Sequence, residues 1–463
     1  MAEAAYQICV NAACRATYDV GEVLFACRKC GSLLDVAYDF SRVRLPRRLS
    51  DFELRWSKRK DPLNLSGVWR FRELIPFAKK RDIVTIGEGQ TLLIEARESL
   101  AKYVGLEPGR FFLQYEGLNP SGSFKDNGMT GALTHARMVG AKSAICASTG
   151  NTASSLALFA AASGALGAIV FIGRGKIAHG KLAQILDHGA KTLQIEGDFD
   201  DAMQKVQEVA TDPRYYLVNS LNPFRLEGQK AIMFRILESL GWRIPRWIVL
   251  PGGNLGNTSA FGKAFQELYE LGLIRRKPHL AAINSTGANT FYQIAEKKGI
   301  KWNKGKVDEV AIKRYYQHMD ERGIRAKTIA SAIEINRPVN LIKALRSLEW
   351  TRGLVRQVPD EEIFDAKAQV GKGGLGCEPA SAAAVAGVRR LRREGIIGEK
   401  DLTVALITGH LLKDLDATVG YHTTPKSELP EVFAGFKVKR ARFQNRPIPV
   451  ANDLEAILRA LKK

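Results

Sequence analysis

Residues 119–130 read Asn-Pro-Ser-Gly-Ser-Phe-Lys-Asp-Asn-Gly-Met-Thr, and the rest of the chain is organised around them. Asn119-Pro120 and Ser121-Gly122 are turn dipeptides. Apolar residues then recur at helical spacing from Met129 through Ala132, Leu133 and Ala136 to Val139, which predicts a helix. Ser121 or Ser123 is the expected cap, and Asp126 suits the first turn. Lys125 then lies beside a helix N-terminus, where the dipole and the unpaired amides repel a cation. A lysine there deprotonates easily, and a neutral amine is what forms a Schiff base. On spacing alone a solvated helix lysine is the plainer alternative, so the decision falls to the loops further along.

Working outward, short β-branched runs alternate with helical runs from about residue 83. The expected strands are Lys142–Ala147, Ala168–Ile172, Thr192–Glu196, Tyr215–Asn219, Trp247–Leu250, Leu280–Ile283 and Thr403–Ile407. The expected helices include Thr152–Ala162, Gly180–His188, Phe199–Ala210, Arg225–Leu240 and Thr258–Leu271. This is the alternation of a largely parallel α/β protein. Ser143–Gly173 has no charged residue and is long enough to span a bilayer. Its Ser-Thr-Gly-Asn-Thr and Ser163-Gly164 interruptions instead predict strand, loop, helix, turn and strand in a buried core.

Three of the strand–helix junctions can hold a ligand, because ligands sit where strand ends meet helix N-termini. Ser148-Thr149-Gly150-Asn151-Thr152 offers hydroxyls, an amide and free backbone N–H groups suited to a carboxylate; an ordinary Ser/Thr cap is the alternative. Pro251-Gly-Gly-Asn-Leu-Gly-Asn257 is a phosphate-cradle candidate, since glycines let backbone amides approach an anion closely. It is neither a Walker loop nor a spaced dinucleotide fingerprint. Thr408-Gly409-His410 places a hydroxyl at a strand end.

The chain has 463 residues, enough for two or three domains. Its 45% hydrophobic and 25% charged residues exclude a disordered chain and fit an ordinary globular one. A net charge of +21 suggests an anionic partner without choosing among nucleic acid, acidic membrane and phosphorylated metabolite. No secretory signal is visible at the first residues, and a cytoplasmic location is expected. Cys9, Cys14, Cys27 and Cys30 resemble the two knuckles of a zinc ribbon, with the first knuckle two residues longer than usual; four reduced cysteines without metal are the alternative. Residues 42–60 are strongly basic but have only Phe52 and Trp56 for aromatic interleaving, which favours a surface helix or linker over a nucleic-acid stripe.

An amine, a carboxylate nest, a phosphate cradle and a strand-end hydroxyl together form the set that pyridoxal phosphate requires. The lysine stretch, the Ser148–Thr152 loop and the Gly252–Asn257 loop resemble the lysine, asparagine and phosphate loops of fold-type II pyridoxal-phosphate enzymes, the tryptophan synthase β-like fold. Within that fold the chain is similar to the threonine synthases. Six further segments carry the likeness: Gly87-Glu-Gly-Gln-Thr91, Lys176–Ala183, Asn219–Gly228, Pro338-Val-Asn340, Cys377-Glu-Pro-Ala-Ser381 and Thr408-Gly-His410. Leu92, where proline usually follows, and Leu412 depart from the family pattern.

The resemblance implies two open twisted α/β domains with the cofactor between them. Residues 41–125 and 223–430 would form the large domain and 126–222 the small one. A zinc-ribbon-like module (1–40) and a basic C-terminal extension with a helix (431–463) would flank them; the helix is expected over Asp453–Leu461, docked on the main body.

It also implies roles. Lys125 would bond the cofactor's aldehyde and then carry protons. Asn151 would meet the ring oxygen, Thr408 the ring nitrogen, and Gly252, Gly253, Asn254, Gly256 and Asn257 the cofactor phosphate. Ser148, Thr149, Asn151 and Thr152 would hold the substrate carboxylate, and Asn219, Ser220 and Arg225 its phosphate. Glu88 and Glu378 are possible site or hinge residues; His179 and His410 are flagged without a role. The implied activity is conversion of O-phospho-L-homoserine and water to L-threonine and phosphate, by γ-elimination and then β-addition of water. A threonine or serine dehydratase, or an O-phosphoserine-using synthase, is the alternative within the fold. A nucleic-acid-binding ribbon protein is the alternative outside it. The expected partner is the small-molecule substrate, in a homodimer, with no nucleic acid and no membrane.

Overall fold

The computed structural model describes residues 4–173, 179–197 and 199–462. Its strands form three sheets. The N-terminal sheet pairs β1 (Ala5–Cys9) antiparallel with β2 (Thr17–Asp19) and β3 (Leu34–Tyr38). The largest sheet has the order β12-β11-β10-β13-β5-β4. It is built from β4 (Leu92–Glu95), β5 (Phe111–Tyr115), β10 (Trp247–Pro251), β11 (His279–Ser285), β12 (Leu354–Val358) and β13 (Thr403–Ile407). All its neighbours run parallel except β4, which is antiparallel on the edge. The third sheet is all parallel, in the order β8-β7-β6-β9, from β6 (Ser143–Ala147), β7 (Gly167–Gly173), β8 (Lys191–Ile195) and β9 (Tyr215–Leu217). Parallel strands need their faces covered by helices, and the uncharged Ser143–Gly173 stretch is strand, helix and strand of this third sheet.

Five helices position the site: α1 (Lys125–Met138), α2 (Asn151–Ser163), α3 (Pro223–Ser239), α4 (Gly256–Glu270) and α5 (Pro379–Arg393). Helices α1 and α3 cross at glycines. A Cβ on Gly228 would lie 1.9 Å from the Asn127 carbonyl oxygen, and one on Gly131 would lie 2.5 Å from that of Phe224. Only a backbone without a side chain permits that approach. Glycine is a poor helix former, so α1, with Gly128 and Gly131, is held by packing rather than by propensity.

The N-terminal sheet is sealed to the body by buried charge. Asp35 meets Lys343 Nζ at 2.9 Å and also pairs with Arg346. Tyr38 donates to Glu227 at 2.6 Å, and Lys263 donates to Glu227 and to the Val36 carbonyl. The basic stretch 42–60 packs inward as well: Leu49 and Phe52 are buried, and Arg55 pairs with Glu73 at 2.6 Å.

Beyond the N-terminal sheet, whose strands were not expected individually, three strands were not expected from the sequence: β4, β5 and β12. β4 and β12 are sheet edges, and β5 carries the polar Gln114 within an aromatic run, so none shows a clean β-branched pattern. The expected docking of the C-terminal helix is corrected. Gln444 bonds the Tyr421 and Thr424 carbonyls at 2.8 Å, but the helix Leu454–Leu461 buries none of its residues, with Leu454 70% and Leu461 76% exposed. Among the described residues no helix is long and apolar enough to cross a membrane.

Candidate active site

The stretch that carries Lys125 is zipped to the end of β13. Phe124 N–H donates to the Thr408 carbonyl at 2.8 Å, and His410 N–H to the Gly122 carbonyl at 2.9 Å. Asn119 ties the same loop to Gly89 N–H at 2.9 Å and to Glu116 at 2.8 Å, and Glu116 is held by Arg235 at 2.7 Å. The Gly87–Thr91 motif is therefore scaffold for the lysine loop. Glu88 in it is spent on Ser66, Thr85 and the Ile86 N–H, so it does not reach the site.

The expected cap of α1 is corrected. Phe124 occupies the cap position with no side-chain bond. Asp126 instead accepts from Ser121 N–H at 2.7 Å, Ser121 Oγ at 2.6 Å and Ser155 Oγ at 2.6 Å, joining α1 to α2. Burial pushes its carboxyl up to about 6 against these donors.

Lys125 opens on a cleft of about 660 Å³, counting its mouth. The lining brings together Lys125, Asn151, Ser220, Arg225, Gly253, Asn254, Gly256, Asn257 and Thr408 from both parallel sheets. Burial lowers Lys125 to about 7, the Arg225 charge adds to the fall, and Glu378 opposes it. Burial and Arg225, rather than the helix end alone, therefore bring the titration of this amine down to near pH 7. Its Nζ stands 4.4 Å over the Phe124 ring.

Arg225, in the first turn of α3, is 1% exposed. One nitrogen donates to the Val218 carbonyl at 2.6 Å, while Nε has no partner. Among the described residues no carboxylate pairs with it; Glu227 turns to Lys230 and Lys263. The glycine loop is braced from behind: Asn284 donates to the Gly252 carbonyl at 2.7 Å, and Asn340 N–H to the Asn254 carbonyl at 3.2 Å. Its left-handed residue is Leu255, with φ 64°, where the sequence offered glycines on either side. A non-glycine residue held there is strained, and such strain gathers at ligand sites.

Gly252, Ser148, Thr149, Thr152 and Asn219 are not among the lining residues. Ser148 Oγ accepts from Gly150 N–H at 3.1 Å, and Asn219 closes two bonds with the Ala147 backbone, at 3.0 and 2.9 Å. Glu378, which the sequence offered as a site or hinge residue, does reach the cleft. Its carboxylate accepts from Asn151 Nδ2 at 3.0 and 3.1 Å and from Thr408 Oγ1 at 3.3 Å, linking a residue of α2 to one at the end of β13. Thr408 also lies 2.8 Å from Ser381. His410 Nδ1 accepts from Leu412 N–H at 3.1 Å, a local turn; the side chain of His179 lies outside the described residues. Gln229, Ala332 and Ile333 also line the cleft and carried no sequence signal.

The set of polar groups fits pyridoxal phosphate. Three acceptors (Asn151 Oδ1, Asn257 Oδ1 and Gln229 Oε1) and one donor (Arg225 Nε) belong to lining residues and are buried without a protein partner, as expected of a cleft shaped for a polar ligand. The amine and the helix-start loop supply the two attachments that cofactor needs. A second donor set lies apart from the cleft. The sulfurs of Cys9, Cys14, Cys27 and Cys30 are all within 4.8 Å of one another, with Cys9–Cys30 at 3.4 Å and Cys14–Cys27 at 3.7 Å. Four thiolates at about 2.3 Å from one tetrahedral zinc lie about 3.8 Å apart, which fits.

Fold and cleft together define a fold-type II pyridoxal-phosphate dependent enzyme, and residues 84–409 match the pyridoxal-phosphate dependent enzyme family. Solved structures agree on the fold: an L-serine ammonia-lyase from Rhizomucor miehei superposes with a TM-score of 0.55 at 18% identity, over 70% of this chain and 94% of that one. Threonine synthase of Methanocaldococcus jannaschii is 38% identical over 99% of both chains. That of Methanosarcina acetivorans is 40% identical over 87% of this chain and 91% of its own. The chain belongs to the threonine synthase family.

Proposed function

We propose that the chain converts O-phospho-L-homoserine and water to L-threonine and phosphate. The carrying observation is the buried Arg225 guanidinium, free of any carboxylate among the described residues and lining the same cleft as Lys125 and the glycine loop. Two anion sites in one cleft suit a phosphorylated cofactor and a phosphorylated substrate together.

Bound pyridoxal phosphate stabilises negative charge at the substrate's α- and β-carbons. Lys125 Nζ, lowered to about 7 and so largely deprotonated just above neutral pH, would hold the cofactor through its aldehyde and, once freed by the substrate amine, would serve as the base for the α-proton. Asn151 would hold the ring oxygen, and Thr408 would meet the ring nitrogen as a neutral hydroxyl that does not force its protonation. The amides and side chains of Gly252–Asn257 would hold the cofactor phosphate. Ser148, Thr149, Asn151 and Thr152 bracket the substrate carboxylate at the start of α2. Ser220 and Arg225 orient the γ-phosphate; Asn219 supports them by fixing the β6–β9 strand ends. Loss of the α-proton and then of one β-proton would expel the phosphate from the γ-carbon with one of those protons; a proton would then go to the γ-carbon, and water would add its hydroxyl at the β-carbon as a proton returns to the α-carbon.

The same reading holds the chain to be a cytoplasmic homodimer, with one structural zinc on Cys9, Cys14, Cys27 and Cys30. It divides the body into a large domain, 41–125 with 223–430, and a small domain, 126–222. The test is a paired assay. Purified protein should show the visible absorption of a lysine-bound cofactor, lost in Lys125→Ala, and should release threonine and phosphate in equal amounts from phosphohomoserine. Absorption with no phosphate release would keep the cofactor and reject the substrate; ammonia release from threonine or serine would move the chain to a dehydratase.

A further inference from the structure

Arg110, Arg243, Arg246, Arg276 and Lys400 line one cleft, with Asp401 as the single acid of its lining. Arg110 directly precedes β5, Arg246 directly precedes β10, and Lys400 lies just ahead of β13. These strands are parallel neighbours in the order β10-β13-β5, with Trp247, Thr403 and Phe111 in register. The backbones of Arg246 and Arg110 are therefore two strand separations, roughly 9.6 Å, apart, with the start of β13 between them. The glycine loop and Thr408 follow the opposite ends of β10 and β13. Five-residue strands put roughly 16 Å of sheet between the two sites.

The charge here is uncompensated. Elsewhere, exposed Arg214 pairs with Asp212 at 2.5 Å and half-buried Arg356 with Glu394 at 2.7 Å. Among the described residues none of the four cleft guanidinium groups pairs with a carboxylate, and Lys400 reaches only Glu107, at 3.9 Å. The Asp401 carboxylate accepts from Gly398 N–H at 2.8 Å. Two of the arginines are aimed by neutral acceptors: Arg276 by the Pro245 carbonyl at 3.3 Å and the Ile244 carbonyl, Arg243 by the Leu240 carbonyl at 3.2 Å. Carbonyls orient a guanidinium without neutralising it. Like charges gathered in a concavity focus the positive potential, and guanidinium forks match phosphate oxygens in pairs.

We propose that this cleft binds a small anion of two or more linked phosphates, at a site separate from the cofactor and substrate. The cations converge on one concavity instead of tracking a groove, and no aromatic side chain lines it to stack a base; both observations favour a compact phosphate chain over a single-stranded nucleic acid.

The experiment is calorimetric titration of the cofactor-loaded enzyme with inorganic tripolyphosphate at about 0.05 M salt, where exposed charges are least screened. Saturable binding of one anion per chain is expected, weakened roughly tenfold or more in Arg246→Gln/Arg276→Gln and at high salt. The cofactor absorption should stay unchanged, and phosphohomoserine at a concentration that just saturates the active site should not compete. Arg110→Gln/Lys400→Gln is a second, independent pair should the first fold poorly. Equal affinity for ATP and tripolyphosphate means that the phosphate chain alone is read; tighter ATP means a nucleotide; both support the site. Absence of saturable binding, binding intact in both pairs, competition by phosphohomoserine, or binding of an RNA oligomer but not of tripolyphosphate would each overturn it. Failure of the threonine assay would leave this test untouched, because its readout does not use turnover.

Discussion

Lys125 occupies a cleft hostile to its own charge, and that governs its chemistry. An ordinary lysine ionises near 10.4; burial first, then Arg225, bring this one to about 7. In cofactor-free protein the reaction of Lys125 with an amine-selective reagent, followed by peptide mass spectrometry, should therefore rise through about pH 7, since the amine is protonated below that value and free above it. Because Arg225 depresses the value and Glu378 raises it, Arg225→Ala should move the inflection up and Glu378→Gln should move it down. No shift in either variant would mean that desolvation alone sets the value. Steady-state kinetics offer a second reading: Arg225→Ala should raise KM for phosphohomoserine by about tenfold or more, from loss of a charged hydrogen bond of roughly 1.5–3 kcal/mol, with far less effect on cofactor affinity. Equal loss of both would remove the substrate-phosphate role.

At the scale of elements, the distance between the two key cations is set by the contact of α1, which starts at Lys125, with α3, which carries Arg225. The Gly228 and Gly131 approaches leave no room for a methyl group. Gly228→Ala should destabilise the protein by about 1–3 kcal/mol through overpacking, measured by denaturant unfolding. Cofactor affinity should fall as well, because Lys125 moves relative to the glycine loop. A variant as stable as the parent would show that the helices part without strain. The 3.6-residue period of α1 and α3 was legible in the chain, since periodicity records which face is buried. The crossing was not, because a glycine inside a helix reads as a weak point until its neighbour is known. The same holds at Leu255: a left-handed leucine between glycines carries no local signal.

For the whole molecule, the N-terminal sheet is joined to the body through Asp35. Burial pushes that carboxyl up, but Arg346, Lys343 and Lys263 outweigh it and hold it well below the ordinary range. Its stabilising contribution is full above the unfolded carboxylate's value near 4 and is lost as pH falls toward the depressed folded value. Asp35→Asn leaves Lys343 and Arg346 buried without their acid and should cost about 3–5 kcal/mol in unfolding experiments near neutral pH. A change below about 1 kcal/mol would mean that water reaches the pair. Elemental analysis should find one zinc per chain. Cys27→Ser or a chelator should lower the melting temperature without changing the spectrum of the bound cofactor, since the cysteines stand outside the cleft; loss of that spectrum would place the metal in the cofactor's support.

The sequence by itself determined the alternation of strands and helices, the three ligand-bearing junctions, the lysine and the family, because each is written locally, in periodicity, turn residues and short motifs. Tertiary structure alone decided which of these meet. It turned Asn219 onto the Ala147 backbone and brought Glu378 between Asn151 and Thr408. It left Arg225 without an acid among the described residues and gathered the arginines that precede separate strands into one cleft. Such outcomes depend on contacts between residues far apart in the chain, and on charges whose partners, or lack of them, appear only once the sheets are laid side by side.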